Sequence, residues 1–135
     1  MMSAGILRLR LRKLWLVIGF SLVGFVIYGT LTSNPIDMGV HVSDKYMHTV
    51  GYFVLMGWFM QLYATQKGRL FWGAVFIAMG IGLEFLQELG GIRYFEVYDM
   101  FANGLGVILA GALSYTRFSE ILSWIEAVLL DLVTK

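Results

Sequence analysis

Seven side chains of this sequence combine chemically useful groups with helical spacing. Within each of three sets, successive members lie three or four residues apart: Asp44, His48 and Tyr52; Glu84 and Gln87; Asp99 and Asn103. Residues at this spacing share one face of a helix. The sequence therefore predicts three helices that each present a polar face, with a carboxylate on every face and an imidazole on one.

His48 carries the group with the most chemical options. Imidazole titrates near neutral pH, so His48 is a candidate general base that the Asp44 carboxylate would orient. Oxygen partners would also suit a metal ligand, but no metal site is predicted and the sequence identifies no cofactor. Carboxylates in different environments divide acid and base roles, which makes His48, Glu84 and Asp99 the candidate catalytic residues. The alternative is a satisfied polar network that only holds the helices together.

The surrounding sequence is that of a membrane protein. It is 59% hydrophobic and 14% charged, whereas about a quarter of the residues in soluble domains are charged. Apolar stretches near the ~20 residues that cross a bilayer lie at about 14–31, 45–63, 70–89 and 99–115. The predicted fold class is an all-α membrane protein, a four-transmembrane-helix bundle with a C-terminal amphipathic helix, which forms one domain over 1–135. The sequence has no cysteine, which excludes disulfides and thiolate metal sites.

The ends of these stretches differ in their helix signals and in their charge. A tight basic turn is predicted at 65–69, and Gly90-Gly91 is a helix stop. Eight of the ten basic residues fall on one side of a four-span arrangement: Arg8, Arg10, Arg12, Lys13, Lys67, Arg69, Arg117 and Lys135. Cytoplasmic loops carry the excess of Lys and Arg, so both termini are predicted to be cytoplasmic in a bacterial inner membrane. A cleaved signal peptide is the alternative for the basic leader, but the length of the first stretch favours a retained helix.

Six of the nine acidic residues gather at the opposite, outer side, where the polar faces lie: Asp37, Asp44, Glu84, Glu88, Glu96 and Asp99. Lys45 and Arg93 are the basic residues on that side, and they could grip a phosphate or a carboxylate. Because this side is net acidic, an amine-bearing or zwitterionic ligand, or a phosphate bound with a divalent cation, fits better. The candidate ligand-binding side chains are Asp44, Lys45, Tyr52, Gln87, Arg93 and Asn103.

Small residues and the C-terminal segment predict helix contacts. Two stripes at four-residue spacing would let helix backbones approach closely: Ala74, Ala78 and Gly82 on the third span, and Ala102, Gly106 and Ala110 on the fourth. Residues 119–134 alternate apolar and polar side chains with helical period. This helix is expected to lie on the membrane, to pack on its own bundle, or to contact a second copy.

The order of the polar motifs resembles the VanZ-like family of bacterial membrane proteins. The motifs that carry the resemblance are Asp44-Lys45-x-x-His48, Glu84-x-x-Gln87, Arg93, and Asp99-x-x-x-Asn103-x-x-Gly106, within about residues 15–116. Ile92 stands where the family often has glycine, and Glu96 where aspartate is more usual. The resemblance implies the four-span fold, these site residues and a role in the cell envelope. The family is named for a protein linked to resistance to the glycopeptide teicoplanin, and it implies no particular reaction.

The functional hypothesis is a membrane protein that binds a membrane lipid or a lipid-linked envelope precursor near the outer face, with modification of that ligand left open. Nucleic acid is not an expected partner, because the basic residues are confined to positions that flank the spans. A homo-oligomer through the small-residue faces or the C-terminal helix is a further expectation. The alternatives are a non-enzymatic structural or interaction subunit and, in a dimer, a transporter.

Overall fold

A computed structural model of the chain describes residues 9–31, 44–63, 65–91 and 97–134, with backbone alone at 44 and 45. Its helices are α1 (Arg12–Leu31), α2 (Asp44–Leu62), α3 (Gln66–Leu89), α4 (Val97–Ala112) and α5 (Ile121–Thr134). Two 3₁₀ turns, Leu113–Tyr115 and Arg117–Glu120, join α4 to α5. No strand occurs within these ranges, so the all-α prediction is confirmed for the part of the chain that they cover.

Three helical segments are long and apolar enough to cross a membrane: Arg12–Leu31, Gln66–Leu89 and Val97–Tyr115. They mark the chain as a multi-pass membrane protein. Many large apolar side chains on these segments point away from the bundle, among them Phe25, Phe71, Phe101 and Ile108. A soluble monomer rarely exposes so much apolar surface, whereas lipid covers it without cost.

The helix α2 lies at the centre of the bundle. It contacts α1, α3, α4 and α5, and its interface with α4 is the most extensive in the structure. Its buried side chains are Tyr52, Leu55, Met56, Phe59, Met60 and Leu62. It carries the polar residues Asp44, Lys45, His48 and Gln61, and it is not among the three described segments that are apolar enough to cross a membrane. A helix shielded by its neighbours can carry such groups because it meets little lipid.

The bounds of α3 correct one prediction and confirm another. The segment 65–69 was expected to be a turn, but Thr65 is the N-cap of α3 and accepts a hydrogen bond from the Gly68 amide. Residues 66–69 therefore form the first helical turn, because the threonine hydroxyl satisfies one of its free amides. At the other end α3 stops at Gly90, and Gly91 has a φ of 67°, a left-handed conformation that glycine adopts readily.

The predicted small-residue stripe on α4 is confirmed. Ala102, Gly106 and Ala110 are all buried, and Gly106 packs directly on the backbone of α2. In contrast, the predicted stripe on α3 does not pack within the bundle. Ala74, Ala78 and Gly82 are exposed, and open space surrounds Gly82.

Polar side chains explain why α3 turns its other face inward. Its buried residues are Arg69, Phe76, Gly80, Leu83, Glu84 and Gln87. Lipid would penalise exposure of the arginine, the carboxylate and the amide far more than exposure of alanines. The polar residues therefore set the orientation of the helix, and the alanines face outward.

Arg69 ties together the helix ends opposite the polar faces. Its Nε donates to the carbonyls of Met60 and Tyr63, each at 2.8 Å, and its Nη1 donates to the carbonyl of Ser114 at 3.2 Å. These carbonyls lie at or just beyond the C-terminal ends of α2 and α4, where the helix dipoles favour a cation. From the sequence, Arg69 was expected only to mark the cytoplasmic side, so its structural role was missed.

The helix α5 is held on the bundle by polar contacts. The Gln61 side chain accepts a hydrogen bond from the Leu122 amide at 2.6 Å, which caps the start of α5. The carboxylate of Glu126 accepts from the amides of Arg10 (2.6 Å) and Leu11 (2.9 Å) and from the Trp15 indole (2.7 Å). The buried residues of α5 are thus Leu122 and Glu126, while its apolar residues Ile121, Trp124, Val128 and Leu132 are exposed. Of the three arrangements expected for this helix, the structure shows packing on the bundle. The contact is made through a narrow face of α5.

Candidate functional site

The helices α2, α3 and α4 bring their polar faces together at one end of the bundle. The helices α2 and α4 run in the same direction, because Thr49 donates to the Ala102 carbonyl at 3.1 Å and Phe53 lies at Gly106. The helix α3 runs antiparallel to α4, because Gly80 faces Asn103 while Gly73 faces Val107. The predicted convergence of three helical walls is therefore observed for the described residues.

His48 and Asp99 form the central contact. The His48 Nε2 lies 3.7 Å from the Asp99 Oδ2. This separation is too long for a hydrogen bond but short for an electrostatic interaction, which strengthens when the imidazole is protonated. The His48 side chain is 13% exposed and that of Asp99 is fully buried, so the histidine lies at the rim and the carboxylate beneath it.

The position of Asp99 on α4 suits a negative charge. Asp99 lies in the first turn of the helix, near the positive end of its dipole. The spacing of Asp99 and Asn103 was predicted to place them on one face, and both are buried there. A carboxylate fixed at a helix start beside a histidine is an arrangement that can hold and pass a proton.

Glu84 lies at the same depth as Asp99 on the facing helix. Gly80 is one turn below Glu84 on α3, as Asn103 is one turn below Asp99 on α4. A Cβ at Gly80 would lie 2.9 Å from the Asn103 Nδ2. Because Gly80 has no side chain, the Asn103 amide can fit between the helices, which aligns the two carboxyl groups one turn above. Gly80 was not predicted from the sequence, although its four-residue spacing from Glu84 was a usable signal.

Tyr52 completes the α2 wall one turn below His48. Its side chain is buried, and the Glu84 carboxyl is near enough to interact electrostatically with the tyrosine hydroxyl. Tyr52 had been proposed to bind ligand. Its burial places it at the floor of the cluster, where a ligand would meet it after His48.

Gln87 extends the cluster to a fourth helix. Its Nε2 donates to the carbonyl of Thr30, near the end of α1, at 2.7 Å. Helical spacing groups Gln87 with the residues of α3 and α4 and does not predict this contact. Among the described residues, its Oε1 and the Asn103 Oδ1 are buried without a hydrogen-bond partner.

Three of the predicted site residues lie outside the described part. These are Arg93 and the side chains of Asp44 and Lys45. Among the described residues, no three His, Asp or Glu side chains lie close enough together to hold a metal ion. The cluster that the structure defines is therefore His48, Tyr52, Glu84, Gln87, Asp99 and Asn103, named below the polar cluster.

The fold and the polar cluster define an all-helical, multi-pass membrane protein with an ionisable site at one end of its helices. Comparisons with protein families, with curated proteins and with solved structures find no match to this chain. The polar cluster is therefore the feature that indicates its function.

Proposed function

We propose that this chain is a four-span membrane protein of the VanZ-like family that binds a cell-envelope or lipid-linked molecule through the polar cluster. The observation that carries the proposal is the His48–Asp99 pair, a rim histidine 3.7 Å from a fully buried carboxylate. Intramembrane ionisable groups are costly and are a functional-site hypothesis by default. His48 is the proton-transfer group of this site, and Asp99 orients it.

The family assignment rests on the motif residues. His48, Glu84, Gln87, Asp99 and Asn103 carry much of the resemblance, and the fold brings them to one end of the bundle. Gly106, the last residue of the pattern, has a physical reason to be small at its contact with α2. The link to teicoplanin resistance comes to this chain through the family resemblance alone.

The four-span arrangement rests on the position of α2. It has 19 residues and lies against three helices that are apolar enough to span, which supports a fourth crossing by α2. The bias of basic residues places both termini in the cytoplasm of a bacterial inner membrane and the polar cluster at the outer face. The helix α5 then lies at the inner interface with Trp124 and Val128 toward lipid, and a second copy is the other partner that these side chains would suit.

Cysteine labelling tests this topology, because the natural chain contains no cysteine. Tyr98 and Lys67 are exposed and lie at opposite ends of the bundle. A membrane-impermeant maleimide should label Tyr98→Cys in intact cells and should label Lys67→Cys only after permeabilisation. Labelling of Lys67→Cys in intact cells would reverse the orientation and reject an outward-facing site.

Substitution of His48 separates binding from structure. Within the described part of the chain, the polar contact of His48 is with Asp99 alone and is not a hydrogen bond. His48→Gln should therefore cost no more than about 1 kcal/mol of stability. It should still abolish the teicoplanin resistance that we propose the wild-type chain confers on a susceptible host. Resistance and melting temperature would be measured at matched abundance.

Thr49→Val is the matched control on the same helix. It removes the hydrogen bond to the Ala102 carbonyl, which links α2 to α4, and so should lower stability by about 1 kcal/mol while leaving resistance in place. Full resistance in His48→Gln would reject the proposal that the polar cluster is a binding site. Loss of function in step with stability in both variants would support the second candidate, a structural subunit, which the Thr49 and Gln87 links between helices favour.

A further inference from the structure

Two neutral acceptors in the polar cluster have no donor among the described residues. The Gln87 Oε1 and the Asn103 Oδ1 make no hydrogen bond within this part of the chain, and their side chains are 2% and 3% exposed. Buried polar atoms are almost always paired, since a buried unpaired acceptor loses its hydration without compensation. Both atoms therefore indicate a donor that comes from outside the described residues.

The orientation of the Gln87 amide is fixed by its partner. A backbone carbonyl only accepts, so the Gln87 NH₂ group must face the Thr30 carbonyl, which lies 2.7 Å away. The Oε1 then points away from that contact. An exchange of the amide oxygen and nitrogen would break the hydrogen bond and would not remove the need for a donor.

The two acceptors lie at different depths. Asn103 packs against Gly80, and Gln87 is seven residues further along α3. At 1.5 Å per residue, the acceptors are separated by about 10 Å along the helix. Glu84 and Asp99 lie between these levels. The polar cluster thus offers acceptor oxygens along a column.

We propose that the polar cluster binds a hydroxyl-rich headgroup, of the kind that a sugar or a glycerol carries. A polyol presents O–H donors along its length, so one headgroup can reach acceptors at several depths. A single ammonium would reach only one level, and a phosphocholine headgroup has no N–H or O–H donor. This inference rests on the proposed function and names the chemistry of its ligand.

Lipid retention by the full chain tests the inference. The protein would be reconstituted in phosphatidylcholine vesicles that contain an equal share of phosphatidylglycerol, monoglucosyl diacylglycerol or phosphatidylethanolamine. Lipids retained after gentle extraction would be counted by native mass spectrometry. The glucosyl lipid should be retained over phosphatidylcholine by about fivefold for each acceptor that it satisfies.

The arms of the experiment separate the sources of the donor. Enrichment of both hydroxyl lipids, or of the glucosyl lipid alone, supports the proposal and, in the second case, selects the sugar. Enrichment of phosphatidylglycerol alone would reflect its negative charge and would overturn the proposal, as would a preference for phosphatidylethanolamine. Equal retention of all lipids would also overturn it and would leave water as the donor.

Two variants tie the preference to the acceptors, and one controls for stability. Gln87→Met and Asn103→Leu each remove one acceptor and should each reduce the preference about fivefold. Gln61→Met removes a glutamine that accepts from the Leu122 amide near the opposite end of the bundle, so the preference should persist. A preference unchanged by both acceptor variants would reject the assignment. Since His48→Gln is scored by resistance, failure of the headgroup preference does not by itself reject the proposed function.

Discussion

Replacing Gly106 by alanine is expected to lower the free energy of unfolding by about 3 kcal/mol, at the upper end of the range for overpacked cores. A Cβ at this position would overlap the Thr49 carbonyl oxygen and lie 2.9 Å from the Phe53 amide nitrogen. Both are backbone atoms of α2, which cannot rotate away as a side chain can. The clash must therefore separate α2 from α4 over their whole contact.

The Gly106 effect would be measured by equilibrium unfolding of the protein in detergent micelles. Gly104→Ala is the matched control, since Gly104 lies on the same helix with open space where its Cβ would be. That change should be neutral or should stabilise by up to about 1 kcal/mol through helix propensity. Equal effects of the two alanines would contradict the close α2–α4 contact. The separation should also disturb the His48–Asp99 pair, so Gly106→Ala should lose the proposed resistance together with its stability.

The contact at Gly106 shows which part of the fold the sequence could predict. On α4 the small residues Ala102 and Gly106 share a face with Asp99 and Asn103, so one pattern indicates both close packing and burial. On α3 the small stripe and the polar residues lie on different faces. Both patterns were taken to predict a buried face, although only the exposure of polar groups to lipid costs much free energy. The burial of the polar residues therefore set the orientation of α3, and the small residues did not.

The polar cluster could be predicted where spacing along a helix sufficed. His48, Glu84 and Asp99 each come from a helical repeat, and the shared depth of the helices brings them together. The bond from Gln87 to Thr30 joins residues 57 positions apart on helices α3 and α1. Its existence depends on how α1 is placed against α3, which local periodicity does not encode. Gly80 was missed because an isolated glycine in an apolar helix has many possible causes.

The hydrogen bonds at the opposite end of the bundle were harder to predict from the sequence. Glu126 interacts with residues more than 110 positions earlier in the chain. On the sequence of α5 it is one polar residue of an amphipathic pattern, and nothing local distinguishes it from Glu120. Its role follows only from the placement of α5 beside the start of α1.

Removal of the Glu126 carboxylate is expected to detach α5 from the bundle. Glu126→Leu would leave the Arg10 and Leu11 amides and the Trp15 indole without their acceptor. Hydrogen bonds to a charged group contribute more than neutral ones, so the loss of three is expected to cost about 3 kcal/mol after partial hydration of the freed donors. Limited proteolysis would report detachment as faster cleavage within 121–134. Glu120→Gln, a nearby change with no such bonds, should cleave like the wild type.

Acid should release α5 in the same way. Burial raises the pKa of Glu126, but the hydrogen bonds from Trp15, Leu11 and Arg10 outweigh it, so the pKa lies below the ordinary value of 4.5. A carboxyl whose pKa is lowered by folding stabilises the fold above its unfolded pKa and loses that contribution as the pH falls through the folded value. Cleavage of α5 should therefore stay slow at neutral pH and rise only below about pH 4.5. In Glu126→Leu the cleavage of α5 should be fast at every pH. If Glu126→Leu kept the wild-type pH profile of cleavage, another group would hold α5 in place.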